Sequence, residues 1–378
     1  MNINERYNFT ELINARGTYT PLGVSRSSEF VCQSVAEALS NFYLIDELQN
    51  EASRVISHWS GAEAGAVTHC TSAGITLSVA AAMAGDSLEK VAALPNTNGM
   101  PDRVVMPAGH VVNYGHSILQ DLRLAGAKPF LAGTEQLCTR EDIEDELTYK
   151  DTACLLLVSS RLVKGDSINF KDAVEAAHRR GVPAIVDGAA QDLRVKELLA
   201  TGADLVLVSA QKYLAGPTAG LVIGKAELVR AVRAHEKGIG RGMKATKEGI
   251  IGALAAIEQR KALGIANWMD EQEKKTKAFV RAANNIKNIE AWMEPDPIGL
   301  PFSRIFMRIK PNTAGISAKL LQSKLRASTP SIRVMKDRYG SDQILLELVP
   351  LTDDEVEIIL EKINAFFNER TFGQSLNG

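Results

Sequence analysis

The stretch Leu205–Gly224, LVLVSAQKYLAGPTAGLVIG, sets two apolar, strand-like runs on either side of a polar loop that carries one lysine, Lys212. Lysine at the end of an apolar strand is an unusual packing choice. Loss of water there lowers the pKa of an ammonium and makes the amine a usable nucleophile and base. Gly216 and Pro217 follow, and glycine lets a backbone approach a ligand closely. Taken alone, the loop reads equally well as a lysine snorkelling to solvent.

Asp187 changes that balance. It ends the apolar run PAIVD, Pro183–Asp187, one strand–helix unit before Lys212. A carboxylate partly buried at a strand end needs a cationic partner. A pyridoxal phosphate pyridinium is such a partner: the aspartate keeps the ring nitrogen protonated and the ring then draws electrons from the substrate. The competing role is a helix N-cap, for which aspartate is well suited.

The rest of the central chain repeats this alternation of apolar runs and helical spacing. ACLLLVSS (153–160) reads as a buried strand, FKDAVEAAHRRGV (170–182) as a helix stopped by Gly181, and VKELLATGA (195–203) as another helix. GAVTHCTSAGITLSVAAAMAG (65–85) reads as strand, turn and small-residue helix, and RVVMPAGHVV (103–112) as a strand that breaks at Pro107. Strands alternating with helices predict βαβ units, and wholly apolar strands predict a parallel sheet covered on both faces. Ligands of such sheets sit at the carboxyl ends of the strands, where this chain is small and polar. After about Gly249 come a long helix, a more charged helix, three short strands (302–309, 331–336, 343–350) and a closing helix that Thr352 and Glu355 can cap. The expected division is an N-terminal segment, 1–45, that packs with the small domain, a large cofactor-binding domain, 46–255, and a small C-terminal domain, 256–378.

Composition narrows the function classes. The 378 residues are 45% apolar and 23% charged with a net charge of −2, which suits a globular protein and favours neither nucleic acid nor an anionic membrane surface. Cys32, Cys70, Cys138 and Cys154 form no CxxC and no close Cys/His pair, so neither a metal site nor a disulfide framework is expected. Free thiols fit a cytoplasmic setting. No apolar run reaches bilayer-spanning length, and the polar N-terminus lacks a signal-peptide core.

Further candidates surround the lysine and the aspartate. A phosphate site should come from a helix N-terminus, and Thr71, Ser72, Ala73, Gly74 and Ile75 supply small residues there. Ser209 can give a second hydroxyl. His110, at the next strand end, can stack over a cofactor ring or serve as a structural histidine, with Asn113 and His116 close by. Arg241, in the glycine-rich segment Gly238–Lys244, can present a cation to an anion. Arg304 and Arg333 lie on expected small-domain strands, where either can hold a carboxylate through a two-pronged contact or form a surface ion pair.

These residues bring a family into view. The chain resembles the pyridoxal-phosphate enzymes of fold type I, within them the group related to bacterial selenocysteine synthase, and most of all the D-glucosaminate-6-phosphate ammonia-lyases of that group. The likeness runs through INARGTYTPLG (13–23), NFYLIDELQ (41–49), TSAGI (71–75), GHVVNYG (109–115), VDGAAQDL (186–193), GADLVLVSAQKYLAGPTAGLVIGK (202–225) and GIGRGMKATKEGI (238–250), the last two being the most specific. It implies a mostly parallel seven-stranded sheet flanked by helices, with a smaller α/β C-terminal domain. It implies that Lys212 forms the Schiff base, that Asp187 pairs with the pyridine nitrogen, and that His110 stacks on the ring. Thr71–Ile75, Ser209 and Thr218 would surround the cofactor, and Arg161, Arg241, Arg333 and Tyr19 the substrate. It further implies a homodimer or higher homo-oligomer. The chain departs from the pattern in having Arg161 where a histidine-bearing segment is expected, near the substrate, and His116 where a smaller residue is expected.

The expected function is Cα deprotonation and β-elimination on an amino acid or amino sugar acid, giving a 2-oxo acid and ammonia. A racemase, an aldolase or another β-eliminating lyase shares every step through loss of the Cα proton. A non-catalytic binding protein on the same fold would have no reason to place lysine beside Asp187. A transferase acting on charged tRNA would call for a more basic chain.

Overall fold

The computed structural model describes residues 3–166, 168–310, 317–336 and 342–374. Along the chain the strands are β1 (Leu12–Ala15), β2 (Ala64–Thr68), β3 (Arg103–Pro107), β4 (Lys128–Ala132), β5 (Thr152–Val158), β6 (Ala184–Asp187), β7 (Leu205–Ser209), β8 (Gly220–Gly224), β9 (Ile289–Pro295), β10 (Ser303–Ile309), β11 (Ser331–Lys336) and β12 (Gln343–Leu346). Two compact units contain them: Ser27–Ala262, and Met1–Arg26 together with Leu263–Gly378.

The division falls at 26/27 and 262/263, where the sequence led us to expect 45/46 and 255/256. The helix Glu29–Ser40 accounts for the first difference. Ser28 caps it by accepting from the amide of Val31 and donates to Gln259, and Val31 is fully buried in the core of the larger unit. The helix Lys247–Leu263 accounts for the second, since Ile250, Ala253 and Ile257 bury one face in that same core.

The larger unit is built on a seven-stranded sheet of order β2-β8-β7-β6-β5-β3-β4. The pairs β4–β3, β3–β5, β5–β6 and β6–β7 are parallel, while β8 runs antiparallel to both β7 and β2. Every residue of β5, β6 and β7 is buried, as a sheet covered on both faces requires. Two apolar cores lie against the two faces. The edge strand β2 is closed by a side chain: Gln49 donates to the Val67 carbonyl at 2.7 Å and accepts from the Val67 amide at 3.0 Å, which removes groups that could recruit another strand. At the opposite edge β4 carries Pro129 and is half-exposed, the setting in which a strand tolerates proline.

The smaller unit has a five-stranded sheet of order β1-β11-β12-β10-β9, in which β1–β11 is parallel and the other pairs antiparallel. Helices Ile265–Ala283, Ala318–Ala327 and Asp353–Gln374 bury Phe279, Leu321, Leu325, Ile359 and Ile363 with Ile305, Met307 and Ile309 of the sheet. The closing helix has the expected cap: Thr352 and Glu355 exchange amide-to-side-chain hydrogen bonds at 3.1 and 3.3 Å.

Arg304 is 3% exposed and held by two carboxylates, Asp296 and Glu347, with Glu347 accepting from Nε and Nη2 at 3.1 and 2.9 Å. Burial of three charges is tolerable only because they face one another. This arginine is therefore committed to the fold and is not a substrate contact. Gly17 lies against the same cluster, where a Cβ would fall 2.3 Å from Glu347 Oε1, so any side chain there would push the carboxylate off Arg304.

Replacing Arg304 with methionine leaves two buried carboxylates without a cation. We expect a loss of about 3–5 kcal/mol, read as a lower midpoint in urea unfolding.

Candidate active site

The site forms where β6 and β7 end. Lys212 is half-buried in a tight turn after β7, in which the Ala215 amide donates to the Lys212 carbonyl at 3.1 Å and the Gly216 amide to the Ala210 carbonyl at 2.8 Å. Tyr213 and Leu214, 2% and 3% exposed, pin the turn into the core, and Arg260 donates to the Tyr213 carbonyl at 2.6 Å. Ala215 has φ +57°, a left-handed conformation that costs an L-residue about 1 kcal/mol or more and persists only where its surroundings enforce it. The turn thus spends conformational energy to hold the lysine in place.

Burial holds the Lys212 ammonium below the ordinary lysine range. The carboxylates of Asp187 and Asp192 oppose that shift, and the positive charge of Arg161 adds to it. Asp187, fully enclosed at the end of β6, accepts from the Ala189 amide at 3.0 Å. Its pKa is pushed up to about 6 by burial, against the pull of Lys212 and the Ala189 amide, with the negative charge of Asp121 pushing the same way. The charges of these two residues thus act on each other.

The helix Thr71–Ala84 starts beside the antiparallel strand β8. Gly220 makes the approach possible, since a Cβ there would fall 2.5 Å from the Cys70 carbonyl. No acidic side chain occupies the first turn of this helix, and Thr71 Oγ1 is buried with no hydrogen-bond partner among the described residues. A helix N-terminus carries a partial positive charge and free amides, so this end suits an anion. The Ser72 hydroxyl is engaged elsewhere: it donates to Asp121 Oδ1 at 2.6 Å, which leaves its amide at the helix start, while the Ala73 amide donates to Cys70 Sγ at 3.5 Å and the Gly74 amide to the Cys70 carbonyl at 3.0 Å. Ser209 is buried at the end of β7, and Thr218 is exposed in the loop before β8. A buried carboxylate that wants a cation, an amine stripped of water and a helix start that wants an anion match the pyridinium, aldehyde and phosphate of pyridoxal phosphate.

His110 is enclosed by its neighbours. It is 2% exposed, its Nδ1 accepts from the Val158 amide at 3.0 Å, and its ring lies 5.8 Å from that of Phe170, tilted by 53°. Burial lowers its pKa to about 4, so the ring is neutral with its proton on Nε2. A second histidine, His116, is partly open: its Nε2 lies 2.9 Å from Asp121 Oδ1 and its side chain is 36% exposed. Tyr114 meets His116 edge to face at 4.8 Å and also bonds Asp121. Burial, followed by the contact with Asp121, keeps the Tyr114 phenol protonated, and the charge of Asp187 adds to that effect.

Among the other expected residues, the charge of Arg161 acts on Lys212, which brings it to the site. Arg241 is exposed in a loop tied to the end of β2 through the His69 amide and the Met243 carbonyl, 2.9 Å apart. Tyr19 and Arg333 belong to the smaller unit, where the Arg16 guanidinium lies 3.7 Å from the Tyr19 ring centre and Arg333 Nε donates to Ser331 at 3.0 Å. The sequence reading missed Asp192. It is 2% exposed, neither carboxylate oxygen has a hydrogen-bond partner among the described residues, and burial raises its pKa to about 7 against the pull of Arg260 and Lys212. Asp121 was missed as well. Its position inside a helical segment, NYGHSILQDLRL, marks it as an ordinary solvated charge.

Comparison with known proteins places this geometry in a family. Residues 13–260 match the L-seryl-tRNA selenium transferase (SelA) family. The D-glucosaminate-6-phosphate ammonia lyase of Salmonella typhimurium is 32% identical over 363 residues, which cover 95% of each chain. A 5'-C-glycyluridine monooxygenase-decarboxylase from Streptomyces sp is 28% identical over 355 residues, 93% of this chain and 88% of that one. The solved structure of a D-glucosaminate-6-phosphate ammonia-lyase superposes with a TM-score of 0.87 at 30% identity, covering 98% of this chain and 99% of the other. The strand order, the lysine and aspartate at adjacent strand ends and these matches lead to one conclusion: the chain belongs to the SelA family of fold type I pyridoxal-phosphate enzymes.

Proposed function

We propose that this enzyme removes the Cα proton of an amino sugar acid, in the manner of the D-glucosaminate-6-phosphate ammonia-lyases, expels the β-hydroxyl and releases a 2-oxo acid and ammonia. The observation that carries the reading is Lys212, an amine whose charge burial disfavours and the Asp187 carboxylate supports, on a chain similar over nearly its whole length to such a lyase. Pyridoxal phosphate, bound covalently at Lys212, supplies the sink for the electron pair left at Cα.

The residues divide the remaining work. Lys212 Nζ, once the substrate amine has displaced it, takes the Cα proton; its lowered pKa suits a base that must be neutral to act. Asp187 holds a proton at the ring nitrogen. The helix start Thr71–Ile75, through its partial positive charge and the Ser72 amide, receives the cofactor phosphate with the hydroxyls of Thr71, Ser209 and Thr218. Arg161 is the favoured partner for an acid group of the substrate, since its charge acts on Lys212, and Arg241 of the same unit is a further contact for such a group. The enclosure of His110 argues for a supporting role behind β5 and against stacking.

The chain also carries an apolar surface that suits self-association into a homodimer or higher homo-oligomer. Phe30, Leu39 and Leu44 are exposed in and after the helix Glu29–Ser40, and Phe42 is 101% exposed, which is costly for a lone chain in water. None of the described helices is long and apolar enough to cross a membrane, and all four cysteines are unpaired, which is compatible with a reducing cytoplasm.

Three measurements test these statements. Purified enzyme should absorb near the visible region when loaded with pyridoxal phosphate, and Lys212→Ala should lose both that band and ammonia release from D-glucosaminate 6-phosphate. Exchange of the Cα hydrogen without ammonia release would replace the lyase with a racemase. The second concerns pH. Because Asp187 titrates near 6 in the folded protein and near 3.9 when unfolded, the folded state binds the extra proton between those values. Stability of the cofactor-free protein therefore falls as pH rises from about 4 to 6. Asp187→Asn should raise the melting temperature of cofactor-free protein at pH 8, by a stabilisation on the order of 1–3 kcal/mol at about 1.4 kcal/mol per unit. It should do so little at pH 4, and it should weaken cofactor binding. Third, Phe42→Asp combined with Leu44→Asp should lower the mass found by analytical ultracentrifugation.

A further inference from the structure

Three donors converge on one buried carboxylate beside the site. Asp121 is 1% exposed in the helix Ile118–Leu124. Its Oδ1 accepts from Ser72 Oγ at 2.6 Å and lies 2.9 Å from His116 Nε2, and its Oδ2 accepts from the Tyr114 hydroxyl. An ionised carboxylate only accepts hydrogen bonds, so His116 donates through Nε2. Buried charge is costly without a counter-charge. Among the described residues no lysine or arginine pairs with Asp121, and His116 Nε2 is the nitrogen that stands at ion-pair distance from it, charged only when the ring carries both protons. The arrangement is that of a histidine oriented by a buried aspartate, with one ring nitrogen committed and the other left for chemistry. The side chain of His116 is 36% exposed, so the second nitrogen, Nδ1, can be resupplied with protons from water.

The pair touches the start of the helix Thr71–Ala84, since Ser72 donates to Asp121 Oδ1 at 2.6 Å. The charge of Asp121 acts on Asp187, and that of Asp187 acts on Tyr114. Tyr114 is a poor proton donor in this setting, since its hydroxyl is turned to Asp121. Lys212, having taken the Cα proton, would have to carry it to a second atom. A separate acid relieves that demand.

We propose that His116, oriented by Asp121, is the general acid that protonates the departing β-hydroxyl. This rests on the lyase reading above. In the step, the Cβ–O bond breaks with its electron pair going to oxygen, the proton on His116 Nδ1 moves to that oxygen, and water leaves. The pair formerly in the Cα–H bond forms the Cα=Cβ bond. His116 regains a proton from solvent, and the water lost is balanced by the one consumed when the enamine, after tautomerisation, hydrolyses to the oxo acid and ammonia. Asp121 is a positioning residue that fixes the ring through Nε2.

The leaving group provides the test. Chloride departs without a proton, so the acid should matter for D-glucosaminate 6-phosphate and not for its 3-chloro-3-deoxy counterpart. In holoenzyme, His116→Gln should lower kcat on the hydroxy substrate by about 100-fold or more, the range of general acid catalysis. It should leave kcat on the chloro substrate within about threefold. Exchange of the Cα hydrogen in deuterated water and cofactor affinity, read by fluorescence titration, should both persist. Asp121→Asn should show the same selectivity with a smaller loss, and it carries the comparison if His116→Gln does not fold. Equal losses on both substrates would make His116 structural, and no loss on the hydroxy substrate would return the acid role to Lys212; either result overturns the proposal. If wild-type enzyme eliminates from neither substrate, the lyase reading fails first and this step with it.

Discussion

A carboxylate enclosed at the end of a parallel strand is tolerable only if something positive lies within reach, and that constraint organises this enzyme. Asp187 meets it through Lys212, whose own charge is disfavoured by the same lack of water. Each residue makes the other's awkward position bearable. Neither is fully satisfied, since Asp187 still titrates near 6 and Lys212 still lies below the usual lysine range. A site in this state is poised for a cofactor that brings a pyridinium to the aspartate and an aldehyde to the amine. Stability that the protein gives up here is recovered when the cofactor binds.

The scaffold around the pair is rigid by construction. Strands β5, β6 and β7 are buried throughout, so their ends move little. The turn after β7 stores strain at Ala215 and is anchored by Tyr213 and Leu214. Gly220 lets the start of the helix Thr71–Ala84 approach β8 closely at the end of the sheet where β7 finishes. In the smaller unit, Arg304 plays the opposite part: it is an arginine wholly spent on two buried carboxylates, with nothing left for a ligand.

Much of the site was legible in the sequence because its main signals are local. An apolar run that ends in Asp187, a helical spacing, and a second apolar run that ends near Lys212 describe adjacent parallel strands whose ends must lie side by side. The THCTSAG turn announces a helix start in the same way. Asp121 carried no such signal. Its three donors come from residues 72, 114 and 116, and nothing in the spacing of a charged residue within NYGHSILQDLRL says that it is buried. Asp192 was hidden for the same reason. His110 illustrates the converse: its place after β3 suggested an open position, yet the Val158 amide and the Phe170 ring close over it. The strands β1, β4 and β9 also went unread, being short, at sheet edges, or patterned with polar residues and proline.

The sequence by itself determined the alternating strands and helices, the parallel sheet and the lysine–aspartate pair, because periodicity and continuous apolar runs are properties of neighbouring residues. Only the tertiary structure decided which polar side chains face the site and which are walled in. Burial of a side chain depends on what distant segments lay over it, so the partners of Asp121, the enclosure of His110, the burial of Asp192 and the commitment of Arg304 to the fold emerge only when those segments pack.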